Sequence, residues 1–488
     1  MDHLVAAGIA RLVHVEAAVN TLKLADTAII GIGRSGLSMA HYLMRQGESF
    51  DVYDEAPFDV ATLGIMANHA QSGALPARML CQYKRLLLSP GIPWQHPALC
   101  AARKAGVVLC GDLELFAADC ACPLFAITGT NGKTTVTQLL TELLNYLPGD
   151  CISAGNIGTP MLDVFIKEDL SGNNDLPARV VLELSSFQLE RSNHIRPQWA
   201  ALLNIQPDHA DMHDSAEAYL DAKLRLFATQ KSGDTAMFPL DSRWDALCQE
   251  LYQRGVHVHR FGLAKAGDLI AETLSAGILQ RGKSHRLFWH QLGSMEQLNC
   301  RHLSVLGVHQ HINLAVAAQG AADAGVPALV IRDALIRFRG LAHRLQDVGE
   351  TLGKTWFDDS KATNPTAAMA ALQSFEQVVW ICGGLRKGLD LSPLIPVVRQ
   401  HVFFAVVIGM DPSPYIEMLD AAGVPYAVAE TMELAVDMAA KKGGAKAVLL
   451  SPAAASQDQF ANYAERGCAF VNAMAGLSTS MPRHEKQT

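Results

Sequence analysis

The residues best suited to phosphate chemistry stand in the segment TGTNGKTT, residues 128–135. A nucleotide loop normally has Gly, four residues, then Gly-Lys-Ser/Thr, but here Gly129 comes two places late before Gly132, Lys133 and Thr134. The apolar residues before it predict a strand and those after it an amphipathic helix. Backbone N–H groups at the helix start would hold phosphate, with the lysine neutralising its charge and the threonine binding Mg²⁺. The alternative is a strand-to-helix turn with an exposed lysine.

Acidic residues follow the next two predicted strands. Glu183 ends the strand VVLE, where an acid beside a phosphate loop commonly binds Mg²⁺, although alone it would be a solvated carboxylate. Asp208, His209 and Asp211 follow a third strand and strengthen the prediction of a polar site. Lys223 lies in the amphipathic segment SAEAYLDAKLRLF, which by itself predicts a solvated surface lysine.

A second glycine-rich turn lies near the start of the chain. Gly31, Gly33 and Gly36 follow the apolar segment TAII, and Asp54 ends the next strand 18 residues beyond Gly36. This spacing is typical of a dinucleotide-binding turn, with the acid near a ribose hydroxyl. Taken alone it indicates an NAD-dependent oxidoreductase, and the alternative is a tight glycine turn without a ligand.

Three loops in the last third of the chain carry cationic and hydroxyl groups. FDDSKATNP, CGGLRKG and LLSPAAAS each follow an apolar strand. Ligands of open α/β sheets bind at the carboxyl ends of parallel strands. The side chains that would together suit a small polycarboxylate are Lys361, Thr363, Asn364, Lys387 and Ser456.

The elements that must position these loops alternate strand and helix, which predicts an α/β protein of three units in series with parallel sheets. A length of 488 residues and 18% charged residues agree with several compact domains and argue against extended disorder. The net charge of −8 ranks a nucleic-acid binder low. We expect no membrane span and no signal peptide, and ten scattered cysteines predict reduced thiols in the cytoplasm. The first 20 residues have the pattern of a short helix.

These blocks, in this order from Gly31 to Phe470, resemble the Mur ligases, ATP-dependent enzymes that add amino acids to peptidoglycan precursors. TGTNGKTT is similar to their shortened phosphate loop. The other matching blocks are NIG, ELSSFQLE, NIQPDHAD, AKLRLF, GVHQHIN, GLAHR, DSKATN and LLSPAAASQDQF.

The resemblance implies three domains: a Rossmann-like domain for the UDP-substrate (1–111), a central P-loop-type ATPase domain (112–340) and a C-terminal Rossmann-like domain for the amino acid (341–488). DSKATN and LLSPAAASQDQF look like the family member that adds D-glutamate to UDP-N-acetylmuramoyl-L-alanine. This activity implies ATP and two Mg²⁺ ions as cofactors. It also implies small-molecule substrates, no nucleic acid and a cytoplasmic monomer.

The resemblance also implies residue roles. Lys133, Glu183, His209 and Lys223 would be catalytic, with Lys223 carbamylated and, together with Thr134, Glu183 and His209, binding metal. The implied ATP-binding residues are Gly129, Thr130, Asn131, Gly132, Lys133, Thr134, Thr135, Asn313, Arg344 and Asp359. The implied UDP-substrate residues are Gly33, Arg34, Ser35, Asp54, Asn156 and Ser185, and the implied glutamate residues are Thr363, Lys387, Ser456 and Tyr463.

Some positions depart from the family pattern. Gln310 replaces Asn, Tyr463 replaces a common Phe, and Leu385 and Arg386 replace Asp and Gly beside the predicted amino-acid pocket. Ligation of L-glutamate therefore stays open. Three further classes of protein also stay open: a folylpolyglutamate-type ligase, which usually lacks the Rossmann-like first domain, an NAD-dependent oxidoreductase and a non-catalytic nucleotide-binding protein.

Overall fold

The computed structural model of the chain describes residues 25–165, 176–206, 215–265, 273–282, 284–386 and 388–479. The predicted N-terminal helix, Asp208, His209, Asp211 and Lys387 lie outside them. The chain packs into two compact units, the first within 1–129 and 147–258 and the second within 130–146 and 259–488. Among the residues described, no helix is long and apolar enough to cross a bilayer.

The first unit begins with a five-stranded parallel sheet of strand order β3-β2-β1-β4-β5. Its strands are β1 (Thr27–Ile30), β2 (Phe50–Asp54), β3 (Ala70–Ser72), β4 (Arg85–Leu88) and β5 (Val108–Cys110). The helices between and after them are α1 (Arg34–Arg45), α2 (Val60–Leu63), α3 (Ala77–Leu80), α4 (Pro97–Lys104) and α5 (Asp112–Asp119). The four residues of β1 are all buried, as expected for a central parallel strand covered on both faces.

The first unit also holds a parallel set of strands in the order β7-β8-β6-β9-β10. These are β6 (Leu124–Thr128), β7 (Cys151–Gly155), β8 (Arg179–Glu183), β9 (Trp199–Leu202) and β10 (Thr235–Pro239). Helices α7 (Ser186–Glu190), α8 (Ala216–Leu224) and α9 (Asp245–Gln253) belong to the same unit. Its core joins apolar residues of both sets of strands, among them Ile29, Leu87, Leu182 and Leu202.

The second unit contains α6 (Lys133–Leu144), whose buried residues Val136, Leu139, Leu140 and Leu143 follow helical spacing. Here β11 (His257–Lys265) pairs parallel with β12 (Ala276–Arg281), which pairs antiparallel with β13 (Ser284–Gln291), and β14 (Ser294–Asn299) follows antiparallel. Helices α10 (Val308–Asp323) and α11 (Ala328–Arg337) come next. The prediction of parallel sheets missed these antiparallel strands, which do not alternate with helices.

The last sheet has the order β15-β16-β20-β17-β18-β19 and is parallel except for the β15–β16 hairpin. Its strands are β15 (Gln346–Thr351), β16 (Lys354–Asp358), β17 (Val378–Gly383), β18 (Val402–Ile408), β19 (Tyr426–Val428) and β20 (Ala447–Leu450). Its helices are α12 (Pro365–Leu372), α13 (Ile395–His401), α14 (Ser413–Ala422), α15 (Met432–Lys441) and α16 (Tyr463–Thr479). Buried side chains cover both faces of β17, with Trp380 in one cluster and Val379 in the other.

Candidate active site

The glycine-rich turn follows β1, as the sequence predicts, and close packing in it requires a glycine at position 36. A Cβ at Gly36 would lie 1.9 Å from the carbonyl oxygen of Gly31. Asp54 closes the turn, because one carboxylate oxygen accepts the Ile32 N–H at 2.6 Å and the other accepts the Ala56 N–H at 2.8 Å. The predicted ribose partner is therefore also a structural acid of the turn.

The other predicted residues of the turn reach neighbouring loops in the first unit. Gly33 precedes α1 in an extended conformation. The exposed Arg34 donates through its guanidinium to the carbonyl oxygen of Gly158 at 2.8 Å. Ser35 hydrogen bonds to the buried Asp112 carboxylate. The turn is thus held by polar contacts at both ends.

Glu183 stands at the end of β8 and is only 2% exposed. Its Oε1 accepts a hydrogen bond from Asn156 Nδ2 at 2.8 Å, and the Asn156 N–H donates to its carbonyl oxygen at 2.9 Å. Its Oε2 is buried without a hydrogen-bond partner among the described residues. Since burying a carboxylate oxygen without a partner is costly, this atom is placed to receive a cation or a donor.

Ser185, two residues further on, begins α7. Its hydroxyl accepts the Gln188 N–H at 3.3 Å, and the Gln188 side chain accepts the Ser185 N–H at 3.1 Å. This capping box fixes the start of the helix. Two of the residues predicted to bind the UDP-substrate therefore lie beside Glu183, Asn156 through hydrogen bonds and Ser185 in sequence.

Lys223 corrects the prediction that local sequence alone made. Instead of lying on the surface it is 2% exposed, because α8 turns this side chain inward. Its Nζ donates to the carbonyl oxygen of Gly129 at 3.0 Å and lies 4.6 Å from the centre of the Tyr219 ring. The structure thus places Lys223 against the first glycine of the phosphate-loop segment.

The strand, turn and helix predicted around the segment TGTNGKTT are present as β6, residues 129–132 and α6. Gly132 precedes it with φ +88°, and a Cβ there would lie 2.6 Å from Asn313 Oδ1. Lys133 Nζ donates to the carbonyl oxygen of Thr130 at 2.8 Å. Thr135 is buried. Asn313, predicted to bind ATP, therefore packs on the loop from α10.

Three of the predicted ATP-binding residues lie near one another in the second unit: Thr134, Arg344 and Asp359. The Arg344 guanidinium donates to Thr134 Oγ1 at 2.5 Å. The Asp359 carboxylate accepts from the Leu345 N–H at 3.0 Å and from Ser451 Oγ at 2.8 Å. Burial raises the pKa of Asp359 to about 7, and the nearby Arg344 charge opposes that rise. The structure brings these three predicted ATP residues into one part of the second unit.

The C-terminal loops meet at the carboxyl ends of their strands. Lys361 Nζ lies 3.8 Å from the centre of the Tyr463 ring, and Ser360 Oγ donates to the Tyr463 carbonyl oxygen at 2.8 Å. Thr363 follows Lys361 in a tight turn, its N–H donating to the lysine's carbonyl oxygen at 2.8 Å. Ser456 is buried, and its Oγ has no partner among the described residues. Those predicted glutamate residues that the structure describes thus share one edge of the sheet.

Sequence reasoning missed Arg466, which joins these loops. The side chain is 1% exposed and donates to the carbonyl oxygens of Ser360, Ala454 and Ala455 and to Ser360 Oγ, at 2.8–3.2 Å. Leu385 also pairs with Ala455 through two backbone hydrogen bonds. The turn of helix that carries Arg466 shows no motif, so local sequence offered no signal for it.

Three family profiles match consecutive parts of the chain. The matches are to the Mur ligase MurD-like N-terminal domain over residues 25–111, the Mur ligase middle domain over 127–321 and the Mur ligase glutamate ligase domain over 343–454. A curated protein of Hahella chejuensis named UDP-N-acetylmuramoylalanine--D-glutamate ligase is 37% identical over 91% of this chain and 97% of its own length. This chain belongs to the Mur ligase family. The family predicted from the sequence is therefore confirmed.

Other Mur ligases of the same name have similar values. The relative from Nitrosomonas europaea is 35% identical over 91% of this chain and 95% of its length, and that from Pseudomonas aeruginosa 36% over 92% and 98%. Among solved structures, MurF ligase of Thermotoga maritima in complex with ADP has a TM-score of 0.56 at 15% identity, covering 94% of this chain and 97% of its own. MurC of the same organism has a TM-score of 0.55 at 17% identity and covers 92% of this chain and 99% of its own. The predicted three-domain α/β fold is that of Mur ligases.

Proposed function

We propose that this Mur ligase uses ATP to join D-glutamate to UDP-N-acetylmuramoyl-L-alanine during synthesis of peptidoglycan precursors. The observation that carries the proposal is full-length similarity to curated proteins of this name, with 97% of one relative covered. Its local support is that the predicted loops within the described residues lie at the ends of strands or the starts of helices. Similarity to proteins named as ligases over 91% of this chain also argues against a dehydrogenase.

The reaction would proceed in two steps. The carboxylate of the L-alanyl group attacks the γ-phosphorus of ATP, giving an acyl phosphate and ADP. The amine of glutamate then attacks the acyl carbon, and the tetrahedral intermediate expels phosphate and loses a proton to leave the amide. No enzyme nucleophile is needed, so the protein would act by positioning and by neutralising charge.

Lys133 and the N-terminus of α6 are the proposed phosphate-binding groups. The helix start offers backbone N–H groups and the positive end of the helix dipole. Asn313 supports the loop at Gly132, and Arg344 holds Thr134. Gly129, Thr130, Asn131 and Thr135 complete the proposed segment, and Asp359 would lie near the ribose of ATP.

The residues described also fit a divalent cation. Glu183 keeps one buried carboxylate oxygen without a partner among them, and hard cations such as Mg²⁺ prefer oxygen ligands. Glu183 is one proposed ligand, and the family resemblance implies Thr134 and His209, the latter outside the described residues, as the others for two ions in all. When bound, Mg²⁺ would supply positive charge that stabilises the transferring phosphoryl group.

Lys223 is the proposed carbamylated residue. Its buried amine would lose a proton, react with carbon dioxide and release a second proton to give a carbamate, whose anionic oxygens would bind metal. Replacing Lys223 with alanine should abolish turnover, and added short carboxylic acids should restore part of it by supplying the missing carboxylate. Full turnover of Lys223→Ala without any acid would remove the carbamate from the proposal.

The other substrate groups are assigned to the remaining loops. Gly33, Arg34, Ser35 and Asp54 are proposed to face the uridine nucleotide, and Asn156 and Ser185 the reacting carboxylate. Thr363, Lys387, Ser456 and Tyr463 are proposed to surround glutamate. The domain boundaries at 111 and 340, a monomeric state and a cytoplasmic location complete the proposal.

Oxygen isotope transfer tests the proposed chemistry. UDP-N-acetylmuramoyl-L-alanine labelled with ¹⁸O in its carboxylate is incubated with enzyme, ATP, Mg²⁺ and D-glutamate, and both products are analysed by mass spectrometry. We expect one ¹⁸O atom in the released phosphate and a product heavier by one glutamyl residue. Phosphate without label, with product formed, would exclude the acyl phosphate, and no glutamyl product would exclude the ligation itself.

A further inference from the structure

The nucleotide crevice of the first sheet can be located from strand order alone. In the order β3-β2-β1-β4-β5, the chain leaves β1 towards β2 on one side, while β4 lies on the other. Ligands of such sheets bind at this switch point, outside the carboxyl ends of the two central strands. The loops that emerge there are the glycine-rich turn after β1 and the segment Ser89–Pro93 after β4.

The two loops at the switch point are packed directly on each other. Ser89 Oγ donates to the carbonyl oxygen of Gly31 at 2.7 Å, and the Ser89 N–H donates to the Ile30 carbonyl oxygen at 3.0 Å. A Cβ at Gly31 would approach Ile92 and Ser89 to 3.0 Å. A shift of the second loop would therefore move the first.

Arg191, the residue that follows α7, forms hydrogen bonds to the second loop and to the end of β4. Its guanidinium donates to the carbonyl oxygens of Leu88, Ser89 and Ile92, and the side chain is 3% exposed. The guanidinium also lies 5.9 Å from the centre of the Trp94 ring. Three carbonyl oxygens that converge on one planar cation fix the course of this loop at both of its ends.

Arg191 also acts on the glycine-rich turn through Asp112. This buried carboxylate accepts the Leu113 N–H at 2.9 Å and hydrogen bonds to Ser35 and Gln188. Burial raises the pKa of Asp112, and the Arg191 charge opposes the rise. The charge of Arg191 therefore favours the ionised form of the carboxylate that accepts from Ser35, in addition to the direct contacts of the arginine with the opposite loop.

We propose that Arg191 is a positioning residue for the uridine nucleotide substrate, setting the shape of the crevice between the glycine-rich turn and Ser89–Pro93. It would act through the two loops rather than by contact with a substrate. This inference rests on the proposed function, which supplies a uridine nucleotide as the ligand of this crevice.

Three variants test the inference. Arg191→Leu removes all the carbonyl contacts, Arg191→Lys keeps the charge but not the planar fork, and Arg103→Leu is the matched control. Arg103 lies 4.9 Å from the same Trp94 ring and donates to the Trp94 carbonyl oxygen at 3.2 Å. Within the described part of the chain, its hydrogen bonds do not reach the segment Ser89–Pro93.

Binding of UDP alone is measured by calorimetry, and KM for each substrate by phosphate release. For Arg191→Leu we expect the Kd of UDP and the KM of the UDP-substrate to rise about tenfold or more, because the variant loses more than one hydrogen bond. The KM of ATP and of glutamate and kcat should stay within about twofold. Arg191→Lys should fall between Leu and wild type, and Arg103→Leu should match wild type.

Several results would overturn the inference. One is an unchanged Kd of UDP in folded Arg191→Leu or, if that variant does not fold, in Arg191→Lys. A second is an equal rise in all three KM values, which would indicate a general structural role. A third is the absence of UDP binding by wild-type enzyme. Wild-type enzyme that binds UDP but fails to ligate glutamate would instead contradict only the proposed reaction.

Discussion

Two glycine-bearing turns of this Mur ligase look alike in sequence and differ in what holds them. After β1, Gly36 packs on the Gly31 carbonyl group and Asp54 accepts the Ile32 N–H at 2.6 Å. After β6, Gly132 packs against Asn313 and Lys133 begins the helix. Both helices begin with a cation, Arg34 after the first turn and Lys133 after the second. The first turn differs in carrying the Asp54 carboxylate on its backbone. Glycine spacing and a cation at the helix start therefore do not distinguish the two turns, whereas their packing partners do.

The largest expected effect is at Lys133. Lys133→Ala should lower kcat by about 100-fold to 1,000-fold, the usual effect of losing one charge-stabilising donor in an active site. Lys84→Ala is the control, because Lys84 is exposed and pairs with the equally exposed Asp26. Phosphate-release rates at saturating substrates measure both. Normal turnover of Lys133→Ala would contradict the assignment of the second turn to the phosphates of ATP.

Gly132→Ala tests the packing of the second turn. The added Cβ would lie 2.6 Å from Asn313 Oδ1 at φ +88°, so we expect the KM of ATP to rise by about tenfold or more. Gly47→Ala is the control, because Gly47 has φ +68° and nothing within 4 Å of the added atom. It should cost only about 1–2 kcal/mol of stability and leave the KM of ATP unchanged. If both variants changed the KM of ATP equally, the effect at Gly132 would come from backbone strain and not from contact with Asn313.

Asp54 tests the first turn in the same way. Asp54→Ala loses two backbone hydrogen bonds and should raise the KM of the UDP-substrate by about tenfold, while Asp54→Asn keeps one acceptor and should have a smaller effect. The KM of ATP should not change in either. Asp26→Ala, at an exposed acid before β1, provides the control. If the KM of ATP rose instead, the assignment of the two turns would be wrong.

The smallest expected effect is a pH dependence of stability at Asp359. This residue lies near Arg344, which donates to Thr134 after the second turn. Its pKa is raised from 3.8 to about 7 by burial, so the folded protein binds this proton more tightly than the unfolded chain. Its contribution to stability is therefore full below about pH 4 and is lost as the pH rises through about 7. As the pH rises from 5 to 8, the apparent melting temperature of wild type should fall by a few degrees more than that of Asp359→Asn. Asp420→Asn, at an exposed acid of α14, should follow wild type, and parallel pH curves for wild type and Asp359→Asn would contradict the shift.

The sequence predicted the strands and loops well where apolar runs end in glycine or charged residues. Glu183 was found because it ends a buried strand, and Gly132 because it comes before Lys133 and Thr134 at the start of a predicted helix. Lys223 was misread, since a nine-residue helix with polar neighbours says nothing of the packing that buries it. Arg191 and Arg466 were missed for a related reason. Their partners are mostly backbone carbonyl groups up to 106 residues away. Every residue has such a group, so the sequence does not indicate which of them accept a hydrogen bond.

The ligation itself is tested most directly by phosphate release with purified enzyme, ATP, Mg²⁺ and UDP-N-acetylmuramoyl-L-alanine, with D-glutamate or L-glutamate added in parallel. We predict release that depends on D-glutamate, which would make the sequence of the Leu385–Arg386 loop a tolerated variation. Release only with L-glutamate would contradict the proposed substrate while keeping the mechanism. No release with either would contradict the proposed function.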